Sequence, residues 1–396
     1  MRMKKNIMKK IYLKQKKEKV VLRRHPWIFS GAIQQTDQDI TDGDIVSVCS
    51  SNGIHLGHGY YNSKTQIAVR LLTFRSQEVT DDYLRSLISN GVQKRTCNPL
   101  LRNTDSCRLI FSEGDFFPGL IIDSYGGHLV VQSLTLGIDR MKDTLIRILV
   151  DLLQPESIYE RSEHEGRLLE GIQPVRGQIF GTSPAELIML ENGMSFFVDV
   201  REGQKTGFYL DQRDSRDLVK RLARDRNVLN LFCYTGGFSV AAALGGARSV
   251  ISVDASEVAL LTARKNIALN HASTETDFIK ADVFEFLRNA AIDCNLVILD
   301  PPALATSRTS VQNACRGYKE LHLQIASKCP KNSLVLTSSC SRFIGMDLFQ
   351  MIIFEAFADA GRNASILGKY YQPCDHPTNI FCPETEYLKT LLLQIE

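Results

Sequence analysis

One stretch constrains this chain more than any other: Arg226-Asn227-Val228-Leu229-Asn230-Leu231-Phe232-Cys233-Tyr234-Thr235-Gly236-Gly237-Phe238-Ser239. Residues 228–232 form a short apolar run of the kind that makes a buried parallel strand. Thr235-Gly236-Gly237 then reads as a turn, because glycine takes positive φ without steric cost. The alanine-rich run 238–244 reads as a helix. A strand, a glycine turn and a helix together aim backbone N–H groups and a helix N-terminus at a ligand. A second strand at 249–253 ends in Asp254, 18 residues beyond Gly236. A carboxylate at that distance, at the tip of the second strand, can accept hydrogen bonds from ribose hydroxyls.

The pattern repeats downstream. Residues 256–270 read as a helix with Val258, Leu261 and Ile267 inward, and 277–280 as a strand followed by Ala281-Asp282-Val283. A strand at 296–299 ends in Asp300-Pro301-Pro302, and another at 333–338 ends in Ser339-Cys340-Ser341. Alternating strands and helices predict an α/β fold with a doubly wound, Rossmann-like parallel sheet. The carboxyl ends of such strands line one crevice, so Asp254, Asp282, Asp300 and Cys340 are expected on a single rim.

Upstream, His25-Pro26-Trp27-Ile28-Phe29-Ser30-Gly31 is a turn carrying the only tryptophan. Short alternating strands at 44–49 and 66–74, punctuated by Gly43, Gly53, Gly57 and Gly59, make a small β-rich module over 8–76. A mixed α/β region follows over 77–190, with strands at 108–111, 119–122 and 128–134 and an amphipathic helix at 138–153. Glu160, Glu163, His164 and Glu165 crowd together there without metal-ligand spacing and read as a surface loop. Residues 204–213 mix two aromatics, a glycine, an acid and two bases just before the nucleotide-type strand. They read as a lid, with Tyr209 against a ring and Arg213 or Lys205 pairing with a ligand carboxylate. The alternative is a plain domain-junction loop.

A chain of 396 residues has room for two or three domains. No run approaches a membrane span. Ten cysteines without C-x-x-C pairs indicate neither a zinc site nor a disulfide framework, so no metal is expected and a reducing cytoplasm is. The net charge of +3 hides an asymmetry: residues 1–24 carry eleven Lys/Arg against Glu18 alone, a balance of +10, and the remainder sums to −7. A basic arm on an acidic body predicts a polyanionic partner, and nucleic acid is the best fit for Lys14 to Arg24, with Lys19, Arg23 and Arg24 as contacts. The first ten residues read equally as part of that nucleic-acid-binding arm or as a solvated, frayed tail with a start misassigned upstream of Met8. Trp27 is a candidate base-stacking ring, with core packing as its alternative.

The chemistry follows from the rim. Hydride transfer fits poorly, since Gly-x-Gly-x-x-Gly is absent. Asp-Pro-Pro fixes a carboxylate rigidly at a strand end, because the residue before proline is held extended. Beside a nucleoside crevice this suits methyl transfer from S-adenosylmethionine. Asp254 would take the ribose, Asp282 the adenine amino group, and Tyr234, Thr235 and Gly236 the methionine end. Asp300 would hydrogen-bond the edge of a substrate base. Cytosine C5 is too weak a nucleophile to accept the methyl directly, but a thiolate adding at C6 makes it enamine-like, and Cys340 is placed for that attack. Its flanking serines could donate to the thiolate. The alternative is an inert packing cysteine, which is how Cys233 is read.

These residues carry a resemblance. His25-Pro26-Trp27 with Phe29-Ser30-Gly31-Ala32, the run Lys205 to Arg216, and Tyr234-Thr235-Gly236-Gly237-Phe238 are its first elements. Ser252-Val253-Asp254, Asp282-Val283-Phe284, Asp300-Pro301-Pro302 and Ala314-Cys315-Arg316-Gly317-Tyr318-Lys319 follow, then Ser339-Cys340-Ser341 and Asp375-His376-Pro377. From about Met8 onward the chain resembles the ribosomal RNA large subunit (cytosine-C5) methyltransferase I family. Residues 57–62 and 67–70 resemble a PUA domain, a small RNA-binding β-barrel. The resemblance implies a PUA domain at 8–76, a middle α/β domain at 77–190 and an S-adenosylmethionine-dependent methyltransferase domain at 191–396. It implies large-subunit ribosomal RNA as partner, Cys340 as nucleophile, and Tyr209, Asp211, Arg213 and Asp300 among the cofactor-site residues. Arg316 and Lys319 are candidate RNA-backbone contacts or plain helix-surface charge. The chain departs from the family where Ala303-Leu304 stands for Lys-Phe and where Arg342-Phe343 follows Ser-Cys-Ser in place of Gly. Two rivals remain open: methylation of an exocyclic amine or purine, and a non-catalytic RNA-binding assembly factor. A homodimer is left open as well.

Overall fold

The computed structural model describes residues 8–396. Arg2, Lys4 and Lys5 of the basic arm lie outside the described residues. Among the described residues no helix is long and apolar enough to cross a membrane. The chain divides into two compact units: 1–187 with 198–208 and 374–385, and 188–197 with 209–373 and 386–396.

The first unit opens with β1 (Lys10–Leu13), α1 (Lys19–Leu22), β2 (Trp27–Phe29), β3 (Ile33–Thr36), β4 (Ile45–Cys49), β5 (His55–Tyr61) and β6 (Ile67–Thr73). These six strands form one sheet in the order β2-β6-β5-β4-β1-β3. Alternation drives Ile11, Leu13, Val46, Val48, Val69 and Leu71 to one face, where they pack as a core with Val21 and Ile28. Gly59 allows close strand pairing, since a Cβ there would stand 2.1 Å from the Arg70 carbonyl oxygen.

Next come α2 (Asp81–Thr96), β7 (Ser106–Phe111), β8 (Leu120–Tyr125), β9 (His128–Ser133), α3 (Leu136–Leu153), β10 (Ser157–Ser162), α4 (Gly166–Leu169) and β11 (Val175–Gly181). Their sheet runs β11-β10-β9-β8-β7. Helix α2 starts where Thr80 accepts the Tyr83 N–H, with Asp81 and Asp82 in its first turn and Lys94 and Arg95 in its last, each matching the helix dipole. One element differs from the sequence reading. Glu160 belongs to β10 rather than to a surface loop, and it is buried with Lys142 as its ion-pair partner at 3.1 Å. The Asp375-His376 segment is buried: Asp375 accepts the Arg108 N–H at 3.0 Å and bonds the His376 ring at 3.0 Å.

A hairpin, β12 (Leu187–Glu191) and β13 (Met194–Val198), falls almost wholly in the second unit. That unit contains α5 (Arg213–Leu222), β14 (Asn227–Leu231), α6 (Gly237–Leu244), β15 (Ser249–Asp254), α7 (Glu257–Leu269), β16 (Glu275–Lys280), α8 (Val283–Asn289) and β17 (Leu296–Leu299). It continues with α9 (Val311–Lys328), β18 (Leu334–Ser339), α10 (Met346–Asp359), β19 (Ala364–Tyr370) and β20 (Lys389–Ile395). The sheet order is β16-β15-β14-β17-β18-β20-β19. The first five strands are parallel, and the last two run antiparallel to their neighbours, which the alternation of elements did not announce. Strands β17 and β18 are buried along their whole length, as expected of strands covered by helices on both faces.

Helix α7 turns a different face inward from the expected one. Val258 and Leu261 are 74% and 53% exposed, and the buried residues are Ala259, Leu260, Ala263 and Asn266. Close approach selects this face: a Cβ on Gly236 would meet the Ala263 Cβ at 2.8 Å, so small residues, not the most apolar ones, must pack there.

Candidate active site

The parallel register fixes the rim. Leu231 pairs with Val253 and with Leu299, and Leu299 with Thr337, so all the strands end at one level. Across the sheet the rim reads Asp282, Asp254, the Phe232–Gly236 turn, Asp300 and Cys340. With strands roughly 4.8 Å apart, Asp300 and Cys340 are neighbours, while Asp254 and Cys340 are separated by about three strand spacings, or ~14 Å. The register thus places these residues along one edge of the sheet.

The turn after β14 is strained. Phe232, Tyr234 and Gly236 all have positive φ, at 58°, 48° and 76°. Two of the three are bulky residues, for which the left-handed region costs about 1–2 kcal/mol each. Asp254 holds the turn: one carboxylate oxygen accepts the Tyr234 N–H at 2.8 Å, and the other accepts the Ser256 N–H at 2.9 Å. Each carboxylate oxygen has a second lone pair, which leaves acceptor capacity for ribose hydroxyls. Asn266 of α7 donates to the Thr235 carbonyl at 2.8 Å and accepts from the Phe197 N–H at 2.8 Å, fixing the turn from behind. The Thr235 hydroxyl is buried with no hydrogen-bond partner among the described residues. A buried orphan of this kind in a strained, donor-rich turn fits a polar ligand such as the methionine end of S-adenosylmethionine. Asp282 is exposed and caps α8 by accepting the Glu285 N–H at 3.0 Å.

The segment read as a lid is divided. Residues 204–208 belong to the first unit and 209–213 to the second. In the second unit Leu210, Asp211 and Gln212 form a buried turn of 3-10 helix. Arg213 is 1% exposed and lies 3.6 Å from Glu191, a fixed internal anion for a guanidinium this deep. Asp211 accepts the Tyr387 hydroxyl at 2.6 Å, and Gln212 donates to Asp300 at 3.0 Å. Tyr209 packs edge-on against Tyr234, with ring centroids 5.5 Å apart. Burial, with Asp300, Asp211 and Cys340 nearby, pushes its hydroxyl pKa well up, so it stays protonated.

Cys340 is half-buried, just past the end of β18. The hydroxyls of the serines beside it accept hydrogen bonds from neighbouring segments. Tyr318 of α9 donates to Ser339 at 2.9 Å and lies 3.3 Å from the Ser341 hydroxyl, which accepts the Ala305 N–H at 3.2 Å. The cysteine is thus gripped on both sides, and the Asp-Pro-Pro loop is tied to the same serine. Cys233 is buried, and burial with Asp254 alongside drives its thiol pKa far up, in keeping with a packing role. Tyr318 and Lys389 were missed as site residues. Tyr318 had a signal in its helical spacing to His322. Lys389 had none, because it comes from the antiparallel β20.

The RNA candidates divide as well. Lys19, Arg23 and Arg24 are exposed, and Arg24 also lies over the Phe381 ring at 5.6 Å. Trp27 is 9% exposed, with its indole N–H on Glu113 at 2.7 Å, a core position that leaves no open ring face for a base. Arg316 is exposed, whereas Lys319 pairs with Glu355 and Asp359 at 3.4 and 2.9 Å. His25, Cys382 and Glu384 bring ligand-type atoms within 4.8 Å of one another. The His25 Nδ1 accepts the Trp27 N–H at 3.2 Å, so in the neutral ring the proton is on Nε2, which faces Glu384 at 3.4 Å.

Comparison with known proteins shows the family. A PUA-like domain model matches residues 11–74, and an S-adenosylmethionine-dependent methyltransferase model matches 178–348. Ribosomal RNA large subunit methyltransferase I of Pseudoalteromonas atlantica is 39% identical over 96% of this chain and 97% of that protein. The chain belongs to the ribosomal RNA large subunit methyltransferase I family. The protein of that name from Aeromonas salmonicida is 40% identical over 97% of this chain and 98% of its own length. A provisionally assigned methyltransferase solved with S-adenosylhomocysteine superposes with a TM-score of 0.85 at 25% identity, covering 98% of this chain and 100% of that one. The fold of a Streptococcus mutans protein matches with a TM-score of 0.83 at 24% identity, over 98% of this chain and 100% of that one. The cofactor of this family member is S-adenosylmethionine.

Proposed function

We propose that this protein methylates C5 of a cytidine in large-subunit ribosomal RNA through a covalent adduct on Cys340. The observation that carries the reading is the half-buried Cys340 thiol beside Asp300, at the far end of the rim from the Asp254 turn. S-adenosylmethionine supplies an electrophilic methyl group when bound. The Cys340 thiolate adds to C6 of the cytosine while Asp300, held by Gln212, hydrogen-bonds the base edge. C5 becomes enamine-like and takes the methyl group, a base removes the C5 proton, and the C6–S bond breaks to restore the ring. The target base must be flipped or unpaired to reach the thiol. The exposed cations Lys19, Arg23, Arg24 and Arg316 are the RNA-backbone contacts in this reading, within a PUA domain at 8–76 and a methyltransferase domain at 191–396. Ten free thiols fit a reducing cytoplasm.

The test is nucleoside mass spectrometry of ribosomal RNA from a deletion strain complemented with wild type or with Cys340→Ala. The expected result is 5-methylcytidine restored by wild type only, with S-adenosylmethionine binding by Cys340→Ala intact in calorimetry. A restored purine or exocyclic-amine methylation, or activity in Cys340→Ala, overturns the covalent C5 reading.

A further inference from the structure

Strand β20 brings a lysine to the nucleophile. Lys389 pairs in register with Ser339, the residue before Cys340. Its Nζ donates at 2.7 Å to the carbonyl of Ser341, the residue after Cys340, and at 2.7 Å to the Tyr387 carbonyl. The side chain is 3% exposed. Both hydrogen bonds go to neutral carbonyls, so no carboxylate bonded to the amine compensates a buried positive charge, and a third N–H position remains beyond the two used. Burial pushes the Lys389 pKa down to about 8, and Cys340 is the first group that opposes the shift by its charge, ahead of Glu386. Such a coupling is mutual: a thiolate that favours the ammonium is favoured by it.

We propose that Lys389 is the positioning residue for Cys340, taking the thiol proton and then holding the thiolate as an ammonium–thiolate pair. In that step the S–H bond of Cys340 breaks and an N–H bond forms on the neutral Lys389 amine, with no other reactant. The proposal rests on the covalent reading of Cys340 and deepens it. The other titratable groups around the pair are consistent with it. Tyr318, from α9, is kept protonated by burial. Asp300 is held by Gln212, Asp211 by the Tyr387 hydroxyl, and Tyr209 is kept protonated. Among the described residues near Cys340, Lys389 is thus the group positioned to change charge together with the thiol.

Alkylation of the full-length protein by iodoacetamide between pH 6 and 9 tests this, with the Cys340 peptide quantified by mass spectrometry. In Lys389→Met, Cys340 alkylation at pH 7 should fall about tenfold and its pH profile should move upward by about one unit. Lys389→Arg, a permanent cation that also keeps the carbonyl bonds, should restore alkylation at pH 7 to at least the wild-type rate. An unchanged profile in folded Lys389→Met, or a Lys389→Arg protein that alkylates like an ordinary thiol, overturns the proposal. The Arg variant carries the test if the Met variant does not fold. Failure of the cytosine-C5 reading registers separately, since it changes the methylated nucleoside and leaves the alkylation coupling intact.

Discussion

Gln212 donates its side-chain N–H to the Asp300 carboxylate at 3.0 Å. The glutamine is 3% exposed and comes from the turn Leu210–Gln212, far from Asp300 in sequence. Asp300 is therefore fixed twice, by the two prolines that follow it and by a buried amide from another segment. A carboxylate held this way can direct its remaining lone pairs at a base edge without reorganising.

Loss of this amide should show in catalysis before it shows in folding. Gln212→Ala removes a hydrogen bond to a charged acceptor, worth about 1.5–3 kcal/mol. The expected outcome is kcat/KM reduced by roughly 10- to 100-fold, with S-adenosylmethionine affinity changed far less. Single-turnover methylation and calorimetry on the same preparation check it. Equal losses in both would mean that the amide supports the whole turn and not Asp300 in particular.

Gly236→Ala should damage cofactor binding. The position has φ of 76°, and the new methyl group would stand 2.8 Å from the Ala263 Cβ. Strain plus overpacking amounts to about 2–4 kcal/mol. Helix α7 must move away or the turn must open, and either displaces the Thr235 hydroxyl and the Tyr234 N–H. Calorimetric affinity for S-adenosylhomocysteine should weaken by at least about tenfold, in line with that energy. An unchanged affinity would detach the turn from the cofactor site.

The rim was legible in the sequence because strand ends carry their own punctuation. Asp254, the glycine turn, Asp300-Pro301-Pro302 and Ser339-Cys340-Ser341 each close an apolar run, and parallel register then aligns them. What sequence patterns could not give was the burial of polar groups by distant segments. Arg213 reads as a ligand-binding cation, and its burial against Glu191 from a hairpin upstream carried no signal in the local sequence. Val258 and Leu261 looked like core and are exposed, because a close helix contact at Gly236 selects Ala263. Lys389 arrives on an antiparallel strand at the end of the chain, where no periodicity points to Cys340.

Breaking the Glu191 cluster should destabilise the second unit. Glu191 is fully buried and receives Arg216 in bidentate fashion at 2.6 and 2.7 Å, with Arg213 at 3.6 Å. Glu191→Gln leaves two buried guanidinium groups without their anion, a loss of about 3–5 kcal/mol. Urea unfolding should show a lower midpoint of that size. A change below about 1 kcal/mol, the range of surface ion pairs, would mean that water reaches the site.

His322 predicts an acid limit for the same unit. Its ring is fully buried, with Nδ1 donating to the Tyr318 carbonyl at 2.6 Å and Nε2 accepting from the Thr337 hydroxyl at 2.9 Å. The neutral ring satisfies both bonds, whereas a protonated ring would turn a donor toward the position it now uses to accept. Burial lowers the folded pKa from 6.5 to about 4. The unfolded chain binds this proton near 6.5, so above that pH the group contributes its full stability, and the contribution is lost as pH falls from about 6.5 to about 4. The loss amounts to roughly 3 kcal/mol at 1.36 kcal/mol per pKa unit. His322→Gln removes the titration, so the difference in unfolding free energy between wild type and variant should shrink by that amount from pH 7 to pH 4. Parallel stability curves for the two proteins across that range would show that His322 is not the group that titrates.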